Sequence, residues 1–396
     1  MFINTLKLAF LAQALNIALK PWGTPLTNVA GYLLILCTIF LPITIVLDSD
    51  YSLKEMDTNT IISIGLFFIV SISFILSYPE NSIDLEFVKN LLCFVCLYIS
   101  ISTPPKLFRM RDRSHFFILG KILGIIFITY TFLPFSFRYT LANEWGYYAF
   151  TLSLGNTNAT AIQVFVCILI IGLEIVSTKK KLKKIGDYTI IGFLIYIIYL
   201  LQCRTIMLCS ILYITLIMVK KITIKKWWTY IALLIPIISI GIQILIREDS
   251  VTILGKGIVT GRDEIFVRYI DIIKQAPFEF IFGQLCRFRL NNYHNGPITL
   301  LTNIGLIGLE VCLLLWGSII NKSIETYSND MQKMAIVSIL LYLIHSSTEA
   351  APMIGMPLFG IPVILFFRFA KDTHEMDNKT TSIFTEYTIQ KCKYIR

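Results

Sequence analysis

Residues 247–296 gather an unusual set of side chains between two apolar runs. Arg247, Lys256, Arg262, Arg268, Lys274, Arg287 and Arg289 all fall there. Acidic Asp263, Glu264 and Asp271 lie among them. Singly, each base can be offset by such a neighbour; as a set, they suit an anionic ligand. Arg262 sits inside Thr260-Gly261-Arg262-Asp263, a capping pattern before an amphipathic run. A guanidinium in a first helical turn, beside free N–H groups, is suited to phosphate. Pairing with Asp263 or Glu264 is its other use. The segment closes on Tyr293-His294-Asn295-Gly296-Pro297. Asn295 is a natural N-cap and Pro297 fits a first turn. Neither fact accounts for His294, one of four histidines in the chain. Gly305 and Gly308 follow. At about 100° per residue they return to within roughly 20° and 40° of the His294 face of a continuous helix. That pattern serves a lipid-facing groove or close helix packing equally well. Arg204 lies between two apolar stretches. There a guanidinium costs about 2.5–3.5 kcal/mol at a helix centre and less near an interface. His345 and Glu349 are one helical turn apart and can meet on one face, lining a cavity or closing a buried hydrogen bond.

The elements that must position these residues follow from composition. The 396 residues are 56% hydrophobic and only 15% charged, against about a quarter charged in soluble chains. The apolar residues come in blocks long enough to cross a bilayer. The expected fold is therefore all-α and polytopic, one membrane domain over 1–396. About twelve spans are read at 3–20, 27–47, 60–77, 86–104, 115–135, 157–176, 187–203, 205–219, 227–246, 297–320, 332–348 and 355–370. The net charge of +10 sits largely in three clusters, at 106–113, 179–184 and 220–226. These mark the cytoplasmic side, so nucleic acid is not an expected partner. The acidic loop 48–59 is the exception to that count. The long extracytoplasmic loop is then 247–296, carrying an amphipathic helix that Pro277 ends, and 371–396 is a cytoplasmic tail. Nine cysteines show no zinc or disulfide spacing, and Cys93 and Cys96 read as helix packing. Neither a metal nor a cofactor is expected. The first apolar run reads as a retained helix rather than a cleaved leader.

Four short elements, in order, carry a family resemblance. His294-Asn295, nine residues, then Gly305-x-x-Gly308 resembles the H-[N/S/Q]-x9-G-x-x-[G/T/Y] motif of the O-antigen ligase and Wzy-type polysaccharide polymerase superfamily. Gly155-Asn156-Thr157-Asn158 resembles its G-x-x-N element, with Thr157 where Pro is usual. Cys203-Arg204-Thr205 resembles its S-R-T/A element, with Cys203 for Ser. Gly261-Arg262-Asp263 resembles the G-R element opening the long loop. Together they cover residues 150–310; the rest matches by hydropathy alone.

The resemblance implies a GT-C-like helical fold in a bacterial cytoplasmic membrane, with the site facing the periplasm or cell exterior. It implies a metal-independent, inverting glycosyltransferase whose donor is an undecaprenyl-diphosphate-linked glycan. Chain-length regulator or flippase proteins are the protein partners it implies, beside membrane lipid. Arg204 and Arg262 would bind the leaving diphosphate, being always charged and able to grip phosphate bidentately. His294 would act as general base on the acceptor hydroxyl, or orient the acceptor, or contact the diphosphate. Asn156 and Asn158 would bind sugar or phosphate, or cap the loop; Asn295, Arg287, Arg289, His345 and Glu349 are further candidates for substrate contact. Polymerase is the leading expectation, joining O-antigen or capsule repeat units on the carrier. A ligase moving the glycan to lipid A-core or another surface acceptor is the alternative. A transporter or flippase is an alternative of another class, although no internal repeat is evident and the misplaced charges sit at one face.

Overall fold

The structure is a computed structural model. It describes residues 1–47, 58–76, 85–103, 110–142, 147–152, 154, 156–219, 223–246, 252–253, 256–257, 266–267, 271, 277–283, 294–349, 353 and 356–371. Arg262, Arg287 and Arg289, most of the expected amphipathic helix and nearly all of the tail lie outside the described residues.

The chain is a multi-pass helical membrane protein. Among the described residues its long helices are α1 (Phe2–Leu19), α2 (Pro25–Leu47), α3 (Thr58–Leu76), α4 (Leu85–Ser102), α5 (Met110–Tyr130), α6 (Thr157–Ser177), α7 (Lys181–Leu200), α8 (Arg204–Met218), α9 (Trp227–Ile246), α10 (Gly296–Thr326), α11 (Asp330–His345) and α12 (Pro357–Ala370). Each overlaps one expected apolar segment. Six of them, α1, α2, α5, α6, α9 and α10, are long and apolar enough to cross a bilayer. The departures from pure helix are small. Strands β1 (Tyr139–Ala142) and β2 (Tyr147–Phe150) form a hairpin before α6. Thr252–Ile253 pairs with Lys256–Gly257 in the long loop. Pro277 opens a short helix, Pro277–Phe282, because a proline at the first turn gives up only an N–H that has no intrahelical partner.

Helix α6 is the axis of the bundle. All its residues from Thr160 to Ile175 are buried, and a helix apolar all round must lie inside its neighbours. The helices run alternately up and down. Lys7 pairs with Asp112 at one end, while Tyr130 donates to the Ala18 carbonyl at the other, so α1 and α5 are parallel. At the first of these ends Arg368 is buried and donates to the carbonyls of Ser100 and Thr103. It thereby satisfies carbonyls that α4 leaves without intrahelical partners, and it stacks on Phe2.

Two polar contacts inside the bundle have a clear cause. Pro362 lies within α12 and has no N–H, so the Leu358 carbonyl one turn earlier loses its helical partner. Gln13 of α1 and Gln163 of α6 both donate to that carbonyl, at 3.1 and 3.0 Å, and Gln13 also donates to Gln163. Three helices are thus tied at a proline defect. Lys121 of α5 lies 2.7 Å from Glu174 of α6 and 2.7 Å from Asp187 of α7. Lys183 closes the group against Glu174 at 2.5 Å. Two cations and two carboxylates offset one another, which keeps the desolvation cost of each bearable.

Helix α10 is not one rod. Gly305 interrupts it with φ 69° and ψ −177°. Asn295 donates to the Pro236 carbonyl and Asn321 to the Tyr230 hydroxyl, both on α9. Those two partners lie about 9 Å apart along α9, whereas Asn295 and Asn321 would be about 39 Å apart on a straight helix. The chain therefore turns back sharply at Gly305. Residues 296–304, α10a, rise alongside α9, with Ile298 and Leu301 meeting Ile240, Ile244 and Phe266. Residues 306–326, α10b, descend against it, with Gly317 beside Leu233. The Tyr98 hydroxyl confirms the reversal: it accepts from Trp316 and donates to the carbonyl of Met353, whose side chain lies on Gly296. At about 1.5 Å per residue, α10b alone measures about 31 Å and is long enough to cross.

Candidate functional site

The site residues collect where α6 and α8 begin, α11 ends and α10a starts. Asn156 caps α6, its side-chain oxygen accepting from the N–H groups of Asn158 and Ala159. This is the loop-capping use of that asparagine. The cap turns Asn158 inward, and its amide donates to Glu349 Oε1 at 2.8 Å. The hairpin β1–β2 is tied to the same corner, since Thr160 donates to the Thr151 carbonyl.

His294 comes to the same oxygen from another direction. Its Nδ1 lies 3.2 Å from Glu349 Oε1. The histidine has φ 50°, the left-handed region, which costs a non-glycine residue about 1–2 kcal/mol. What holds it there is its neighbour. Asn295 is fully buried, accepts from the Ile298 N–H and donates to the Pro236 carbonyl. The next residue, Gly296, donates its N–H to the Ser346 carbonyl at 2.8 Å. A side chain at Gly296 would strike Met353 and Ser346, so glycine permits that close approach. Strain held at a polar, half-buried histidine is the kind of feature that functional sites retain.

The start of α10a is not itself an anion site. The Gly296 N–H goes to Ser346, Pro297 has none, and the Ile298 and Thr299 N–H groups go to Asn295. Its first-turn donors are already used, so binding of a diphosphate would fall to guanidinium groups. Arg204 is the described candidate. It is the first residue of α8, half-buried, after a turn in which Gln202 has φ 53°. Cys209 meets the Leu341 carbonyl and Tyr213 meets Ser338, so α8 and α11 are antiparallel. Continued upward, this register carries Arg204 to the level of Ser346 and Ser347, the turn that also holds Gly296.

Some expectations are altered. His294 does not stand at the mouth of a long span with two glycines below it on one face. It precedes α10a, and the turn at Gly305 ends the helical phase on which that arithmetic rested. Gly305 serves close packing, because a Cβ there would lie 2.5 Å from the carbonyl carbons of Ile281 and Phe282. Gly283, with φ 84°, packs against the same turn, where a Cβ would lie 2.5 Å from the Asn303 oxygen and the Gly305 nitrogen. At Gly308 a Cβ would meet the Ile304 side chain. Helix α11 stops at His345, where the imidazole meets the Thr348 hydroxyl at 3.1 Å, while Glu349 turns to His294 and Asn158. Arg138, just before the β1–β2 hairpin, donates to the Thr131 carbonyl and stacks on Tyr139. Gln13, Gln163 and Arg368 were not singled out from sequence. Pro362, four residues after Leu358, is the signal that pointed to the first two.

No group of three or more metal-ligand side chains occurs among the described residues. No family model, curated protein or solved structure matches the chain.

Proposed function

We propose that the chain is a Wzy-type polysaccharide polymerase, an inverting glycosyltransferase with twelve spans and a GT-C-like arrangement. It acts at the outer face of a bacterial cytoplasmic membrane, on glycan repeat units linked to undecaprenyl diphosphate. One observation carries the reading. Asn158 and His294, from two of the four elements behind the family resemblance, converge on one carboxylate oxygen of Glu349. Nothing in helix packing alone requires them to share it. Arg204, from a third element, lies level with the same turn.

In this reading Arg204, with Arg262 from the long loop, offsets the charge that grows on the departing diphosphate. His294 takes the proton of the acceptor sugar hydroxyl as its oxygen bonds to the anomeric carbon. The carbon–oxygen bond to diphosphate breaks on the opposite face, and the lipid diphosphate leaves with the electron pair. The basic clusters at 106–113, 179–184 and 220–226 hold the opposite end of the bundle in the cytoplasm.

The test is the surface polysaccharide of cells producing His294→Ala or Arg204→Ala at wild-type membrane levels. Each is expected to abolish elongation and leave single repeat units. Long glycan trapped on the lipid carrier would instead identify a ligase, and wild-type polymer in both variants would overturn the assignment.

A further inference from the structure

We infer that Glu349 is the positioning residue for His294. It fixes the imidazole in the tautomer protonated on Nδ1, which makes Nε2 the nitrogen that receives the acceptor's proton, and Asn158 holds Glu349 for that task. The inference rests on the proposed function for its catalytic meaning but not for its structural content.

The argument is one of donors and acceptors. The Asn158 Nδ2 group can only donate, so Glu349 Oε1, at 2.8 Å, is accepting. An ionised carboxylate is an acceptor and nothing else. The contact from His294 Nδ1 to that same oxygen, at 3.2 Å, is then an N–H donated by the ring. A neutral imidazole carries one N–H, so its basic lone pair is on Nε2. Once the acceptor's proton arrives there, the ring is a cation with both nitrogens protonated. The adjacent carboxylate stabilises that cation, in the role an orienting acid plays beside a catalytic histidine.

Chain geometry makes the contact a fixed one. Glu349 follows α11 by one turn, its N–H bonded to the His345 carbonyl. Ser346, in that turn, accepts from Gly296, two residues after His294. The segments bearing the acid and the histidine are thus bonded to each other through backbone, beside the pair itself. Asn158 adds a third segment, held by the Asn156 cap at the start of the most buried helix. The spacing of His345 and Glu349 suggested a different pairing, and residue type alone suggested contact with substrate. The structure brings Glu349 to His294.

The chain has four histidines, few enough to resolve individually by 15N spectroscopy of the full-length protein labelled on histidine. His294→Ala identifies the His294 signals. In the unaltered protein they are expected to show the Nδ1–H tautomer. Glu349→Leu removes the acceptor, and the signals are expected to move to the Nε2–H form. Glu349→Gln keeps an acceptor oxygen at the same reach and is expected to keep the Nδ1–H form. In a polymerisation assay on undecaprenyl-diphosphate-linked repeat units, Glu349→Leu should lower kcat about 100-fold with KM within about threefold. Glu349→Gln should lose about tenfold. Asn158→Leu, which leaves both members of the pair in place, should give mixed tautomers and a loss of about tenfold; it keeps the idea testable if Glu349→Leu does not fold. An unchanged tautomer in folded Glu349→Leu overturns the inference, as does a loss confined to KM. If His294→Ala itself polymerises normally, the proposed function fails, while the tautomer shift still decides whether the pairing is real.

Discussion

Alanine at Gly305 is the most direct challenge to the reversal of α10. Its backbone, at φ 69° and ψ −177°, lies in a region essentially closed to side chains, where a non-glycine residue costs about 1–3 kcal/mol. Space adds to that cost. The new Cβ would be 2.5 Å from the carbonyl carbons of Ile281 and Phe282, and backbone of a neighbouring segment cannot swing aside as a long side chain can. The loss is therefore expected to reach about 3 kcal/mol, and to free the short helix Pro277–Phe282 from the hairpin tip. At about 2–4 °C per kcal/mol for chains of moderate size, the purified protein in detergent should melt several degrees lower. Gly186→Ala and Gly192→Ala in α7 are the controls. Nothing lies within 4 Å of a Cβ at either position, and alanine there should be neutral or stabilise by up to about 1 kcal/mol. The assay is the loss of monodisperse protein after a temperature series, read by size-exclusion chromatography. If Gly305→Ala melts with wild type while the controls behave, α10 is a continuous helix and the hairpin is wrong.

Gln163→Leu should cost about 1–3 kcal/mol, because Gln13 loses one of its two acceptors and the Leu358 carbonyl loses one of its two donors inside the bundle. Adding Pro362→Ala, which restores an N–H to that carbonyl, should recover part of the loss in the same melting assay; strictly additive effects would show that the proline is not the cause. Gln202→Gly should raise the melting temperature by relieving the φ of 53° in the turn before Arg204, a gain of about 1 kcal/mol. A lower melting temperature would mean that the Gln202 side chain, not the turn, is what matters.

The helices were legible because their cause is local. An unbroken apolar block must span or be buried, and α6 reads that way residue by residue. Caps were legible too. Asn295 is an N-cap, as its type and position suggested, and Asn156, open between capping and substrate contact, is one too. The hairpin in α10 was not legible, since a glycine in an apolar run has the same one-dimensional signature whether it packs in a straight helix or turns the chain back. The contacts of its two halves with α9 and the segment that crosses Gly305, ending at Gly283, distinguish the two. Pro277 shows the same ambiguity on a smaller scale, since proline closes one helix as readily as it opens the next.

The site divides along the same line. Sequence alone determined that an apolar chain retains His294, Arg204, Asn158 and Glu349 where such groups are costly, because a polar group beside an apolar run is a local fact. It also set which of them could give or accept a proton. Tertiary structure decided who meets whom. His294 and Glu349 are 55 residues apart, and Asn158 and Glu349 are 191. Spacing along one helix offered His345 as a neighbour of Glu349, but it could not offer His294 or Asn158, which come from other segments. The three side chains share an oxygen only because α6, α10a and the end of α11 are packed together, and packing is a property of surfaces that no single segment carries.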